Sequence, residues 1–399
     1  MEARENGGSV KEVFCAFLRL GLTSFGGPIA HLGFFQRDLV DKRKWVSDAV
    51  YADLVALCQF LPGPASSQVG FALGYLRAGW LGGVAACVAF TAPSALLMIA
   101  FALGLAHFGP GAGWVQGLKL AAVAVVAQAV AGMASKLCPD RSRATLALGA
   151  AALILLHGMV WTQVAVILFG LAVGGFGFPS WASAESGASG GMRSVGGRRL
   201  AYGCLAVFGL LLVGLPLAAA VWPDRWLATL DGFYRAGSLV FGGGHVVLPL
   251  LETETVGRGW LDRSEFLAGY GAAQAVPGPL FTMAAFVGTV IGRDGPGVWM
   301  GLWCLMAILL PGFLLVLGVL PFWARLRSMP GARAALAGAN AAVVGILLAA
   351  LYTPVFVTAV QDSMGMVVVL AAFGALHFWK VPPWGVVVGC AGFGAVLGS

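Results

Sequence analysis

Long apolar stretches recur along this chain, separated by short breaks of charged or Gly/Pro-rich residues. Runs of about 18 apolar residues or more can cross a hydrocarbon core of about 30 Å. Read between the breaks, the pattern predicts helices near 12–34, 50–76, 80–106, 114–135, 144–157 and 160–178. A polar Gly/Ser-rich stretch follows at 179–199, then one helix at 200–222. A second set is expected near 233–251, 264–291, 296–323, 334–352, 364–379 and 382–398. The order is six, one, six. It divides the chain into an N-terminal repeat at 1–178, a linker and connecting helix at 179–232, and a C-terminal repeat at 233–399.

The two sets share more than apolarity. Phe25-Gly26-Gly27, Gln59 and Pro62-Gly63-Pro64 return as Phe241-Gly242-Gly243, Gln274 and Pro277-Gly278-Pro279. Phe17, Arg19, Gly21, Trp45 and Phe71 are matched by Phe233, Arg235, Gly237, Trp260 and Phe286. Phe241 follows Phe25 by 216 positions and Trp260 follows Trp45 by 215, so the copies differ by one residue in a connecting loop. Two six-helix copies joined directly would insert in the same orientation, and one extra crossing turns the second copy over. The expected fold is an all-α polytopic membrane protein with two inverted six-helix repeats joined by one extra helix. Its broken or re-entrant helices would make about 13 spans.

Composition places the chain in a lipid bilayer: 59% of its 399 residues are hydrophobic and 10% charged, against roughly 25% charged in a soluble domain. The net charge of +7 does not point to nucleic acid, because the Arg and Lys residues are scattered through short loops. Lys136, Arg141, Arg143, Arg193, Arg198, Arg199, Arg325, Arg327, Arg333 and Lys380 fall on one side. Loops at 107–113, 158–160 and 353–363 fall on the other with almost no positive charge. The positive-inside rule makes the first side, and with it the N-terminus, cytoplasmic. The loop with Arg37, Lys42, Arg43 and Lys44 disagrees, either as an exception or because re-entrant segments flank it. No cleavable secretory signal is evident. The seven Cys show no CxxC spacing and six lie in apolar runs, which suits small core residues rather than disulfides or a metal site.

The breaks carry the candidate chemistry. Two prolines around a glycine remove backbone donors and end a helix. Opened backbone at membrane depth is tolerated where it lines a polar cavity, and half-helix N-termini aimed there suit an anion. Candidate ligands are Gly26, Gly27, Pro62, Gly63, Gly242, Gly243 and Gly278, with Ser66, Ser67, Gln68 and Thr282 just after the Pro-Gly-Pro motifs. Gln59 and Gln274 precede those motifs by three residues. Arg19 and Arg235 occupy matching places, and Lys119 aligns with Asn340. All three cations are candidates for the anion, and snorkelling to headgroups is the competing reading. His31, His245, Glu252 and Glu254 are candidate proton carriers, with hydrogen-bonded structural roles or an exposed loop face as the alternatives. There is no phosphate-binding GxxxxGK[ST] loop and no catalytic or metal-ligand constellation, so no cofactor, no enzyme activity and no ATP hydrolysis are expected.

The stretch from Phe25 to Pro28, Trp45 and the run from Ala56 to Gln68 resemble the N-terminal signature of the chromate ion transporter family. The second copy is similar over Phe241 to His245, Gln274 to Pro279 and Gly338 to Gly345. The resemblance covers nearly the whole chain in the family's long, two-domain form. It implies a prokaryotic inner-membrane protein with inverted halves that exports chromate and confers chromate resistance, driven by ion gradients, with sulfate as competitor. On this reading one half rocks against the other around a chromate ion, with antiport among the ways of driving it. A carrier for sulfate or another oxyanion and a passive anion channel are the alternatives. Gly-rich helix faces would permit a homodimer.

Overall fold

The computed structural model describes residues 8–108, 113–157, 160–178, 197–326 and 328–397. Regular structure among them is helical, without strands. The first half contributes α1 (Val10–Thr23), α2 (Gly27–Phe35, continued as a π-helix over Gln36–Lys42), α3 (Asp48–Phe60), α4 (Ala65–Phe108), α5 (Gly113–Leu137), α6 (Arg141–Leu156) and α7 (Val160–Ala172). Then α8 (Arg198–Val221) leads to α9 (Arg225–Ser238), α10 (Val247–Thr255), α11 (Arg263–Ala275), α12 (Met283–Ile291) and α13 (Gly297–Val319). The short α14 (Trp323–Leu326), then α15 (Pro330–Ala350), the short α16 (Val357–Ala359), α17 (Ser363–His377) and α18 (Pro383–Leu397) complete the chain. Turns of 3-10 helix at Gly244–Val246 and Leu280–Thr282 lead into α10 and α12.

Among the described residues, five segments are long and apolar enough to cross a membrane: Ala65–Leu105, Gly113–Leu137, Arg198–Val221, Gly297–Leu326 and Pro330–Ala359. The chain is a multi-pass, all-helical membrane protein. Spanning-length helices are nonetheless fewer than the thirteen expected, and the reason is local. The expected spans 12–34, 50–76, 233–251 and 264–291 each divide at a Gly-Gly or Pro-Gly-Pro break. Most of the resulting pieces run 9 to 14 residues, well short of the roughly 20 a crossing needs. The exception is α4, which continues from the first Pro-Gly-Pro into the expected 80–106 helix through a kink at Ala78 and Gly79. The expected loops at 107–113 and 158–160, most of the 179–199 linker, Arg193 and Arg327 lie wholly or largely outside the described residues. The discordant basic loop is mostly π-helix, where Arg43 pairs with Asp38 at 2.9 Å and Arg37 lies over the Phe34 ring.

Packing does not follow the halves of the sequence. One body gathers α1–α4 and α8–α13: α4 packs on α1, α12 and α13, and α13 on α8, α9 and α12. The other gathers α5–α7 with α15–α18, crossing over between the copies. In it α5 lies on α17 and α18 of the second half, and α15 lies on α6 and α7 of the first. Small residues permit these contacts. A Cβ at Gly338 would strike the Gly170 carbonyl, and one at Gly117 the Cys390 carbonyl. The bodies meet along α11, which packs on α5 as extensively as α17 does and also on α18, and where α7 and α15 touch α10.

Candidate functional site

Two crossed backbone hydrogen bonds organise the centre. The Gly63 N–H of the first Pro-Gly-Pro donates to Val240 O, beside the second Gly-Gly break, at 2.8 Å. The Gly278 N–H of the second Pro-Gly-Pro donates to Ser24 O, beside the first Gly-Gly break, at 2.9 Å. Each Pro-Gly-Pro is thereby tied to the Gly-Gly of the other copy. The geometry demands glycine, since Gly63 and Gly278 hold φ at +124° and +101°, where a side chain is strained.

All four breaks line one cavity of about 830 Å³. Among its walls are Gly26, Gly27, Gln59, Gly63, Gly242, Gly243, His245, Gln274, Gly278 and Asn340. Along α5 the lining runs from Val125 to Leu137, about 18 Å of helix at 1.5 Å per residue. The preceding part of α5, Gly117 to Ala124, is buried in packing. The cavity therefore reaches from the C-terminal end of α5 to about half its length.

Side-chain caps are unevenly distributed, and α8, α13 and α15, away from the breaks, start without one. Ser9, Ser47, Asp140, Asp224 and Asp362 cap α1, α3, α6, α9 and α17 with side-chain oxygens. The starts of α2 and of the turns leading into α10 and α12 have no side-chain cap. Their orphan N–H groups are available to the cavity. With the start of α4 just after Pro64, four helix N-termini open there, and at roughly half a charge each they sum to about two positive charges. Among the described residues, no carboxylate lines this cavity. Gln274 adds a buried amide nitrogen, and Asn340 a buried side-chain oxygen, neither with a protein partner. His245 Nδ1 lies 2.7 Å from the Tyr270 hydroxyl.

Other sequence candidates take different places. Gln68 braces the break, its Nε2 donating to Pro62 O at 2.9 Å and Gly312 O at 3.2 Å. Thr282 donates to Pro279 O at 2.9 Å, Ser66 Oγ lies 3.4 Å from His31 Nδ1, and the Ser67 hydroxyl is buried without a partner. His31 is fully buried against the edge of Phe90. Arg235 stands 2.6 Å from Asp231 and 2.9 Å from Glu254, and Arg258 closes the cluster at 2.8 Å from Glu254. Two cations and two carboxylates cancel there, so Arg235 is committed to its neighbours. Glu252 pairs with Arg263 at 3.1 Å. Arg19 is exposed on α1, and Lys119 is buried, donating to Ser264 Oγ at 3.0 Å. None of these residues lines the cavity.

Sequence reading passed over five polar residues that do line it: Gln128, Ser135, Lys136, His377 and Lys380. Gln128 Nε2 also donates to Leu376 O at 3.2 Å. Lys136 and Lys380 were legible only as loop charges that orient helices. Their shared side was the available signal, and nothing in sequence spacing joins the end of α5 to the turn after α17.

The family described as Chromate transporter matches residues 11–176 and 227–395. A chromate transport protein of Pseudomonas aeruginosa is 29% identical over 93% of this chain and 88% of its own length. One of Cupriavidus metallidurans is 28% identical over 97% and 93%. A probable chromate transport protein of Synechococcus elongatus is 29% identical over 86% and 84%. No solved structure gives a significant match. The chain belongs to the chromate transporter family, whose named members are transport proteins rather than enzymes.

Proposed function

We propose that this member of the chromate transporter family exports chromate across a prokaryotic inner membrane by alternating access. The observation that carries the reading is the set of four helix N-termini opening on one carboxylate-free cavity. Their summed charge of about two matches a tetrahedral dianion. The volume of about 830 Å³ exceeds one oxyanion and leaves room for waters of roughly 30 Å³ each. The anion enters hydrated and exchanges water for backbone N–H groups at the breaks and for the side-chain amide N–H groups of Gln274, Gln59 and Asn340. Affinity stays moderate because these donors are neutral, which suits a carrier that must also release.

The copies are inverted in this reading, with the N-terminus and the mouth of the cavity cytoplasmic, on the side of Lys136 and Lys380. A cavity that ends halfway along α5 favours a carrier resting open to one side over a passive channel. The packing favours motion of the four-break body against the α5–α7 and α15–α18 body, instead of one sequence half against the other. Anion exchange or an ion gradient supplies the energy. His31, His245, Glu252 and Glu254 are the groups to probe for proton coupling, and a homodimer would leave this cavity in each copy.

Purified protein in liposomes should show saturable chromate flux, accelerated by chromate or sulfate on the opposite side. Flux that never saturates and is not trans-stimulated would mean a channel. Chromate flux indifferent to a pH gradient would remove protons as the coupling ion, and a lower KM for sulfate than for chromate would make this a sulfate carrier. Cysteine pairs in a background without native Cys test the moving bodies. A short bifunctional thiol link between Lys119→Cys and Ser264→Cys, which joins α5 to α11 across the bodies, should stop flux. A link between Gln116→Cys and Ala359→Cys, within one body but between halves, should not. If both links stop flux, rocking of the halves is restored.

A further inference from the structure

The mouth of the cavity carries charge that the inner site does not. Lys136, in the last turn of α5, and Lys380, in the turn between α17 and α18, both line it and are both exposed. Neither forms an ion pair among the described residues. The nearest carboxylate in sequence to Lys136, Asp140, is engaged: its Oδ2 holds the Arg143 guanidinium at 2.6 Å and its Oδ1 accepts from the Arg143 N–H. That backbone hydrogen bond, first among its contacts, holds the Asp140 carboxyl below the usual carboxylate range. Lys380 adopts φ of +55°, unusual for a long side chain, and so sits in a turn that places it beside the mouth.

We infer that Lys136 and Lys380 form a cationic collar that selects doubly charged oxyanions from the face where the cavity opens. The inference rests on the anion-carrier reading and adds to it the residues that admit the ion. The collar comes from one body only, since α5 and the α17–α18 turn belong together. The inner donors come from the other body's breaks, with Gln128, Asn340 and other residues of the collar's own body beside them. On the alignment of Lys119 with Asn340, Lys136 falls opposite Val357 and Lys380 opposite Met159, so neither has a charged counterpart in the other copy. The collar therefore exists at one face only, and the carrier is electrostatically one-sided. Like-charged walls in a narrow mouth focus the field and raise the local concentration of the opposite charge. A dianion gains from each lysine about twice what a monoanion gains, so the collar discriminates by charge before the helix ends discriminate by shape. Helix C-termini also favour nearby cations, and a lysine serving only that purpose would influence stability and not substrate charge.

The test uses full-length protein in inside-out membrane vesicles and, separately, in right-side-out vesicles. Lys136→Gln with Lys380→Gln should raise the KM for chromate about tenfold at low salt from the cavity face, with kcat within twofold. The shift should shrink in high salt, stay small for monovalent nitrate, and be absent from the opposite face. Lys136→Arg with Lys380→Arg should restore the wild-type KM. Should the double Gln variant fail to fold, the single variants should each show part of the shift. An unchanged KM, an equal shift at both faces, or an equal shift for nitrate and chromate overturns the collar. If wild-type vesicles carry sulfate but not chromate and show the same lysine dependence, the collar stands and the chromate reading falls. If wild-type protein carries neither dianion, both fall.

Discussion

Replacing Gly63 or Gly278 with Ala tests whether the crossed hydrogen bonds hold the centre together. A side chain at φ +124° or +101° costs roughly 1–3 kcal/mol in backbone strain. The added Cβ at Gly278 would lie 2.8 Å from Ser94 Oγ, and at Gly63 2.9 Å from Gln68 Nε2 and 3.2 Å from Gly312 Cα. Relieving those contacts moves the loop and weakens the bond to Ser24 or Val240, worth about 1 kcal/mol. The sum is roughly 2–4 kcal/mol, a large share of the 5–15 kcal/mol that separates folded from unfolded domains. Two other glycines calibrate it. Gly27 has φ of +78° but open space around a Cβ, so Gly27→Ala carries only the strain. Gly104 lies in α4 with open space and ordinary φ, so Gly104→Ala gains up to about 1 kcal/mol of helix propensity. Thermal unfolding in detergent should therefore rank Gly104→Ala at or above wild type, Gly27→Ala below it, and Gly63→Ala and Gly278→Ala lowest. Chromate flux should fall in the same order. If the two Pro-Gly-Pro variants melt with Gly104→Ala and transport at wild-type rate, the crossed bonds are incidental.

Gln274→Ala and Asn340→Ala should each raise the KM for chromate about tenfold, the loss of one hydrogen bond to a charged partner at about 1.5 kcal/mol. Gln68→Ala, which removes the brace on Pro62 and Gly312, should instead lower the unfolding temperature and leave KM alone, and the reverse pattern would exchange the roles assigned to these residues. Arg235→Ala leaves Asp231 and Glu254 with Arg258 alone, at a cost of about 3–5 kcal/mol. Size-exclusion profiles of detergent extracts should show little folded protein, with partial recovery when Asp231→Ala is added. Arg19→Ala, by contrast, should give a normal profile, and loss of flux at normal folding would return Arg19 to the site.

What could be read from residues alone was whatever is written in local covalent chemistry. Gly-Gly and Pro-Gly-Pro end helices wherever they occur, because proline has no N–H and glycine accepts positive φ. Their repetition at an offset of 215 or 216 marked four breaks and the glutamines beside two of them. Apolar length marked a membrane protein. The spans 12–34, 50–76, 233–251 and 264–291 each divide at a break that the residues marked, but hydropathy alone does not say whether the pieces cross the membrane or turn back. Arg19, Arg235 and Lys119 stood out as ions in apolar surroundings, yet sequence does not reveal partners. Asp231 meets Arg235 one turn away on α9, but Glu254 reaches it only because α9 and α10 fold back together, and Ser264 reaches Lys119 from 145 positions away.

The sequence by itself determined that the chain lies in a membrane and that its helices break four times. These follow from single residues and their immediate neighbours. Tertiary structure decided that each Pro-Gly-Pro is tied to the other copy's Gly-Gly. It also decided that α5 and α15 exchange partners between halves, and that Lys136 and Lys380 share one mouth with the breaks. Those outcomes depend on which helix faces fit closely enough to bury small residues such as Gly117 and Gly338. Such a fit is a property of pairs of surfaces distant along the chain, and no local pattern encodes it.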